Sequence, residues 1–290
     1  RYWGPYKGFL AGCDLHPVTY PLLPSSENPL HPFVDIENFK LQLASLCSAQ
    51  DKVMIWLNDP AHNPTGVSLT PEGRMAFLEA VMESASSNEG VGHTLLLDSA
   101  YHLYAEDPHG WGQTIRETIE AGWPWTENLL ITFSVSLSKS HTVYGLRTGA
   151  LVSIHPDSEV TDKIGTVMGV TGRQTWSAAP RVAQYTISEM HSSVEAGDAW
   201  GKERDRLKDL LVTRRDLFKE CCEKHHVPIN PTHDGFFAWL EHENPETIAE
   251  KCAQQNVFLV PLTGGVRIGL CAVPLEQIPR VAEALANALQ

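Results

Sequence analysis

Lys139 stands just beyond an apolar run at 128–135, inside the stretch Ser-Leu-Ser-Lys-Ser-His-Thr-Val-Tyr-Gly-Leu-Arg-Thr-Gly at 136–149. The run has the length and β-branched content of a buried strand. An ammonium at a buried strand end is poorly solvated. That favours the neutral amine, the form that attacks a carbonyl to make a Schiff base. Arg147 follows the lysine, and Ser136 and Ser138 precede it. A guanidinium among hydroxyls suits bidentate binding of phosphate. A carbonyl compound that also carries a phosphate would use both features, and pyridoxal phosphate is such a molecule. A lone loop lysine is more often a solvated surface charge, so this stretch alone leaves both readings open.

Two other polar residues follow apolar runs in the same way. Asn63 lies in a turn-rich loop after 53–57, and Asp98 ends the run 94–97. In an open parallel sheet the strand carboxyl ends line the ligand crevice, so Asn63, Asp98 and Lys139 should converge. The elements that would carry them alternate. A short helix or irregular segment at 6–16 leads to a short strand at 18–20 and a proline-rich loop at 21–33. A helix at 36–48 capped by Asp35 and a strand at 53–57 come next. A helix capped by Thr70 and opened by Pro71 runs to about 86. Strands at 94–97, 128–135 and 150–154, with a helix near 112–121, complete this part. Strands apolar on both faces and alternating with helices indicate a parallel α/β sheet. Past 156 helices dominate, at 158–169, 176–197 and 199–226. A strand at 236–240, a helix at 245–255, strands at 257–260 and 266–270, and a closing helix at 275–289 form a smaller α+β unit. The division expected is a large domain over 1–205 and a small one over 206–290.

The composition bounds the partners. The chain has 290 residues and a net charge of −13, which argues against nucleic acid or an anionic membrane as partner. No apolar run approaches a membrane span, and no secretory signal opens the chain. The six cysteines lack C-x-x-C spacing, so reduced structural thiols in a cytoplasmic protein are expected. No histidine or cysteine set has zinc spacing, and no metal is expected. The opening Arg1-Tyr2-Trp3-Gly4-Pro5 reads as the interior of a longer chain.

His-Asn-Pro-Thr-Gly at 62–66, Asp-Ser-Ala-Tyr at 98–101, Ser-Leu-Ser-Lys with Arg147 beyond it, and Arg-Ile-Gly-Leu at 267–270 occur in that order. This ordered set resembles the fold-type-I pyridoxal-phosphate aminotransferases of class I/II, the aspartate/aromatic branch most of all. The resemblance implies an α/β fold, with a large, mostly parallel sheet domain and a smaller α+β C-terminal domain. It implies that Lys139 forms the Schiff base and carries the proton shift, and that Asp98 pairs with the pyridinium nitrogen. Asn63 and Tyr101 would bond the phenolic oxygen of the ring, while Ser136, Ser138 and Arg147 would hold the phosphate. Trp3 would stack on the ring and contribute, with Asn63, to the substrate pocket. Arg267 would grip the substrate α-carboxylate. Arg173 lies where the aspartate branch keeps an arginine for a distal carboxylate, supplied across a homodimer interface. The family also has an N-terminal part ahead of the Trp3 equivalent, including a glycine-rich helix start that cradles the phosphate; these residues do not contain it.

Some of these residues have plainer readings. Asp98 could cap a helix, Asn63 could be a turn residue before Pro64, Trp3 could be a packing residue, and Arg173 a surface charge. The function implied is transfer of an amino group between an aromatic or dicarboxylic amino acid and a 2-oxo acid. The alternatives are another reaction on the same fold, C–S lysis or decarboxylation, and a non-catalytic binding module or inactive fragment.

Overall fold

The computed structural model describes residues 2–21 and 35–290. The proline-rich loop expected at 21–33 lies outside the described residues from position 22 on. Four strands form the first sheet: β1 (Lys52–Asn58), β2 (Gly92–Asp98), β3 (Leu129–Ser136) and β4 (Gly149–Ile154), in the order β1-β2-β3-β4. The first three are parallel, and their ends stay in register, Asn58 beside Asp98 and Asp98 beside Ser134. β4 runs antiparallel to β3, so the sheet is mostly rather than wholly parallel. The cause is the short connection between them. Parallel strands need a crossover, usually a helix of several turns, whereas 137–148 contains only the single turn α5 (Leu137–Ser140) and a 3₁₀ turn.

Helices flank this sheet. α1 spans Tyr6–Ala11, α2 Ile36–Ala49, α3 Pro71–Ser87 and α4 Gly110–Glu120. The Asp35 carboxylate accepts from Asn38 N and the Thr70 hydroxyl from Gly73 N, so both expected caps form. Leu43, Ile55, Phe77, Val81, Leu95, Leu97 and Ile131 belong to one core between α2, α3, α4 and the sheet. The strand expected at 18–20 is absent. Proline at 17 and 21 leaves little backbone to pair, and Tyr20 is instead a packing residue. Its ring lies 5.1 Å from Phe39, and its hydroxyl donates to the Trp56 carbonyl at 3.1 Å.

The second half starts with α6 (Ser158–Thr175), α7 (Arg181–Met190) and α8 (Val194–Lys224). The break between α7 and α8, expected at 198, falls earlier, where the Ser193 hydroxyl caps α8 by accepting from Ala196 N. The expected division at 205/206 lies inside α8. The antiparallel strands β5 (Phe237–Glu241), β6 (Val260–Leu262) and β7 (Gly265–Gly269) follow, in the order β5-β7-β6, with α9 (Pro245–Ala253) and α10 (Ile278–Leu289). A second core joins Phe218, Leu240, Ile248, Ile268, Leu270 and Leu285. No helix among the described residues is long and apolar enough to cross a membrane.

Candidate active site

The site begins at the end of β1. The Asn58 side chain donates to the Asp98 carbonyl at 2.8 Å and accepts from Asn63 N at 2.7 Å. It thereby ties the Asn63 loop to the end of β2. Buried Asn63 donates to the Tyr101 hydroxyl at 3.4 Å and accepts from Arg267 Nη1, on β7, at 3.1 Å. Arg267 also lies over the Phe237 ring at 4.5 Å, a cation–π contact. The four residues Asn58, Asn63, Tyr101 and Arg267 thus form one hydrogen-bonded row across both sheets. Burial pushes the Tyr101 phenol up to about 12, with Arg267 and Asn63 pulling the other way. Their pull is the local stabilisation of negative charge on oxygen that this corner provides.

Asp98 ends β2, and its charge is close enough to Tyr101 to raise that phenol. Tyr6 donates a short hydrogen bond to Oδ2, and Ala100 N donates to Oδ1 at 3.2 Å. Burial nevertheless raises the carboxyl above the usual Asp range, the two hydrogen bonds only moderating it. Asp98 forms no ion pair among the described residues. A cationic N–H brought to it would restore its ionised form. The Tyr6 phenol is raised by its burial and by the Asp98 charge. Its ring lies 4.3 Å from Trp56. Trp3 is 37% exposed and stands edge-on to Tyr6 at 5.5 Å, so it borders the Asp98 corner through Tyr6.

Lys139 sits on α5, beyond the end of β3. Tyr104, buried, donates to its carbonyl at 3.1 Å. Its ammonium lies 5.1 Å from the Tyr144 ring, and Arg147 lies 4.8 Å from the same ring. Desolvation lowers the Lys139 pKa; Cys271 opposes this, while Arg147 and Arg267 add to it. The neutral amine expected from a strand-end lysine is therefore favoured by burial and by two neighbouring cations. Arg147 takes a left-handed backbone, φ 51°, and donates to the Ser138 hydroxyl at 3.3 Å and the Tyr144 carbonyl at 3.0 Å. Ser136 closes β3 opposite Gly149, and its carbonyl accepts from the Ser140 hydroxyl at 3.2 Å. Lysine, arginine and serine hydroxyls thus share the connection between β3 and β4. Arg173 does not join them. It is exposed in the last turn of α6, and no hydrogen bond, ion pair or ring contact links it to the site.

This set of groups, in this chain order, can be set beside known proteins. The family model for aminotransferase class I and II matches residues 1–285.

The chain belongs to that family.

Among its relatives is the aromatic-amino-acid aminotransferase of Paracoccus denitrificans, 25% identical over 258 residues, 87% of this chain and 60% of the relative. Another is the mitochondrial aspartate aminotransferase of Dictyostelium discoideum, 23% identical, covering 86% of this chain and 56% of the relative. The chain thus spans about three fifths or less of these relatives. The solved aminotransferase of Anaerococcus prevotii superposes with a TM-score of 0.89 at 26% identity, over 99% of this chain and 67% of that one. An aromatic-amino-acid aminotransferase of Burkholderia pseudomallei, covalently bound to pyridoxal phosphate, shares the fold at a TM-score of 0.77 and 22% identity, over 100% of this chain and 67% of that one.

Within this aminotransferase fold the sequence reading missed three residues that shape the site. Tyr6 was passed over beside Trp3, although it is the residue that reaches Asp98. Asn58 read as the start of a turn. Tyr104 carried no motif of its own, and only its place in a buried 3₁₀ turn after Tyr101 brings it to Lys139.

Proposed function

We propose that this chain carries the cofactor lysine and most cofactor contacts of a pyridoxal-phosphate aminotransferase, which moves an amino group between an aromatic or dicarboxylic amino acid and a 2-oxo acid. The observation that carries the proposal is the convergence of Asn63, Asp98 and Lys139 from three adjacent strand ends, with Arg267 reaching in from the second sheet. The names of the relatives support the reaction class.

The donor set fits the cofactor. The raised Asp98 carboxyl suits a cationic ring N–H. Asn63 and Tyr101 suit an anionic oxygen, and Arg147 with Ser138 suits a phosphate, with Ser136 beside them. Trp3 supplies an aromatic face at the rim. When bound, pyridoxal phosphate supplies an aldehyde that takes up the amino group and a ring that draws electrons from the substrate Cα. The chain's own residues do the rest. Arg267 binds and orients the α-carboxylate, as a guanidinium fork can. Lys139, its pKa lowered by burial, would take the Cα proton and return it two atoms further along, a 1,3-shift. Asp98 would hold the ring N–H in place, and Tyr6 holds Asp98.

The same proposal includes a homodimer and a small C-terminal domain over 206–290 that shares α8 with the large one. Support for the dimer comes from exposed apolar side chains on α6, α7 and β4, including Val167, Met168, Tyr185, Leu151 and Val152. Arg173 would act only across such an interface, on a distal carboxylate. A cytoplasmic setting is in keeping with six free cysteines.

The test is Lys139→Ala. The wild-type protein loaded with pyridoxal phosphate should show a visible absorbance that borohydride fixes onto the Lys139 peptide. The variant should show neither the covalent adduct nor turnover, and an adduct at another lysine would overturn the reading.

A further inference from the structure

α5 is a single turn of four residues with no side-chain N-cap. A turn that short is not self-supporting, because nucleation costs more than one hydrogen bond returns. Something outside it must hold Lys139 in place. His141, directly after the turn, projects to the helices of the second half. Its Nδ1 lies 2.8 Å from the Ser140 hydroxyl and its Nε2 lies 3.0 Å from His191 Nε2, just past the end of α7. Its ring stacks flat on Trp200 of α8, 4.6 Å between centroids and 13° between planes. His191 meets Trp200 edge-on at 4.7 Å, and Arg204 covers the Trp200 ring at 5.0 Å.

One assignment of hydrogens satisfies every contact. The Ser140 hydroxyl donates to the Ser136 carbonyl, so its oxygen accepts from His141 Nδ1–H. His141 Nε2 is then a lone pair, and His191 Nε2–H donates to it. The chain runs one way, from His191 through His141 and Ser140 to the carbonyl that ends β3. It needs a neutral His141. Burial pushes that imidazole down to about 4, and the neighbouring His191, His102 and Arg204 add to the effect. Arg204 is itself paired with Asp205.

We propose that His141, His191 and Trp200 form a clasp that holds the lysine turn against α8, making them positioning residues for Lys139. The clasp itself stands on geometry alone; its bearing on catalysis rests on the reading of Lys139 as the cofactor lysine. The stack and the one-way hydrogen-bond chain tie the residue after the lysine turn to the end of α7 and to α8.

Hydrogen–deuterium exchange on the unloaded chain tests the clasp without any cofactor. His191→Leu keeps the bulk and removes the donor, and should speed amide exchange across 137–142 by about 10-fold, the scale of one hydrogen bond. Exchange in β1 and β2 should be unchanged. His191→Gln, which keeps an N–H donor, should restore wild-type protection. Equal protection in the Leu variant and wild type overturns the clasp, as does loss across the whole chain in both variants. With pyridoxal phosphate as probe, adduct formation at Lys139 should slow about 10-fold in the Leu variant and recover in the Gln variant. An intact exchange result with no Lys139 adduct in wild type would instead overturn the cofactor reading and leave the clasp standing.

Discussion

At the scale of single residues, the site is a set of charges whose burial has been set against their chemistry. Asp98 illustrates it. A carboxylate at the end of a buried strand resists ionisation, and only Tyr6 and one backbone N–H ease it. Asp98→Asn should therefore cost rate more than stability. It keeps the size and an oxygen for Tyr6, but it loses the charge that would hold a ring proton. The expected loss in kcat is roughly two or more orders of magnitude, the scale for a preorganised electrostatic partner. The melting temperature should change little. A wild-type kcat in the variant would reduce Asp98 to a structural role. Trp3 and Tyr6 show how such a site is read imperfectly. The aromatic signal at the start of the chain was plain, but an indole at the rim and a phenol in contact with Asp98 look alike in a sequence, and the contact spans 92 positions.

At the scale of elements, each strand end delivers one group, and the loops between them need their own supports. Asn58 supports the Asn63 loop through two hydrogen bonds. Asn58→Ala should leave the buried Asn63 N–H without an acceptor and cost about 1–3 kcal/mol. The measurement is the urea midpoint at unchanged slope; an unshifted midpoint would show that the loop stands without it. The strand ends themselves were legible in the sequence because a parallel strand buried on both faces reads as an unbroken apolar run. Asn63, Asp98 and Lys139 could be placed from that alone. The direction of β4 could not, because a short apolar run reads the same either way. Only the lack of helix signals in 137–148 hinted at the reversal. His141 was one of thirteen histidines, and nothing local distinguishes an imidazole that stacks on a tryptophan of a distant helix.

At the scale of the whole molecule, stability carries a pH signature from Asp59. This carboxyl is buried, accepts from Leu69 N at 2.8 Å and Trp111 Nε1 at 2.7 Å, and is pushed up to about 7 chiefly by burial. Between about 4, the ordinary unfolded value, and that raised value, the native state keeps a proton that the unfolded chain has lost. Its contribution is thus fully present below about pH 4 and disappears as pH rises through about 7. Asp59→Asn, which cannot accept both N–H groups, should melt lower than wild type at pH 5, and the gap should narrow by several degrees at pH 8. A gap independent of pH would show that Asp59 does not titrate in this range. The two halves of the site also differ in how far along the chain their partners lie. Arg147 meets Ser138 across 9 positions, whereas Arg267 meets Asn63 across 204. Closing the longer loop costs about 3 kcal/mol more in chain entropy. The turn proposed to bind phosphate can therefore assemble as soon as β3 and β4 meet, while the arginine proposed for the substrate carboxylate arrives only when the second sheet has formed. The order in which the chain folds is then also the order in which it would gain its cofactor grip and its substrate grip.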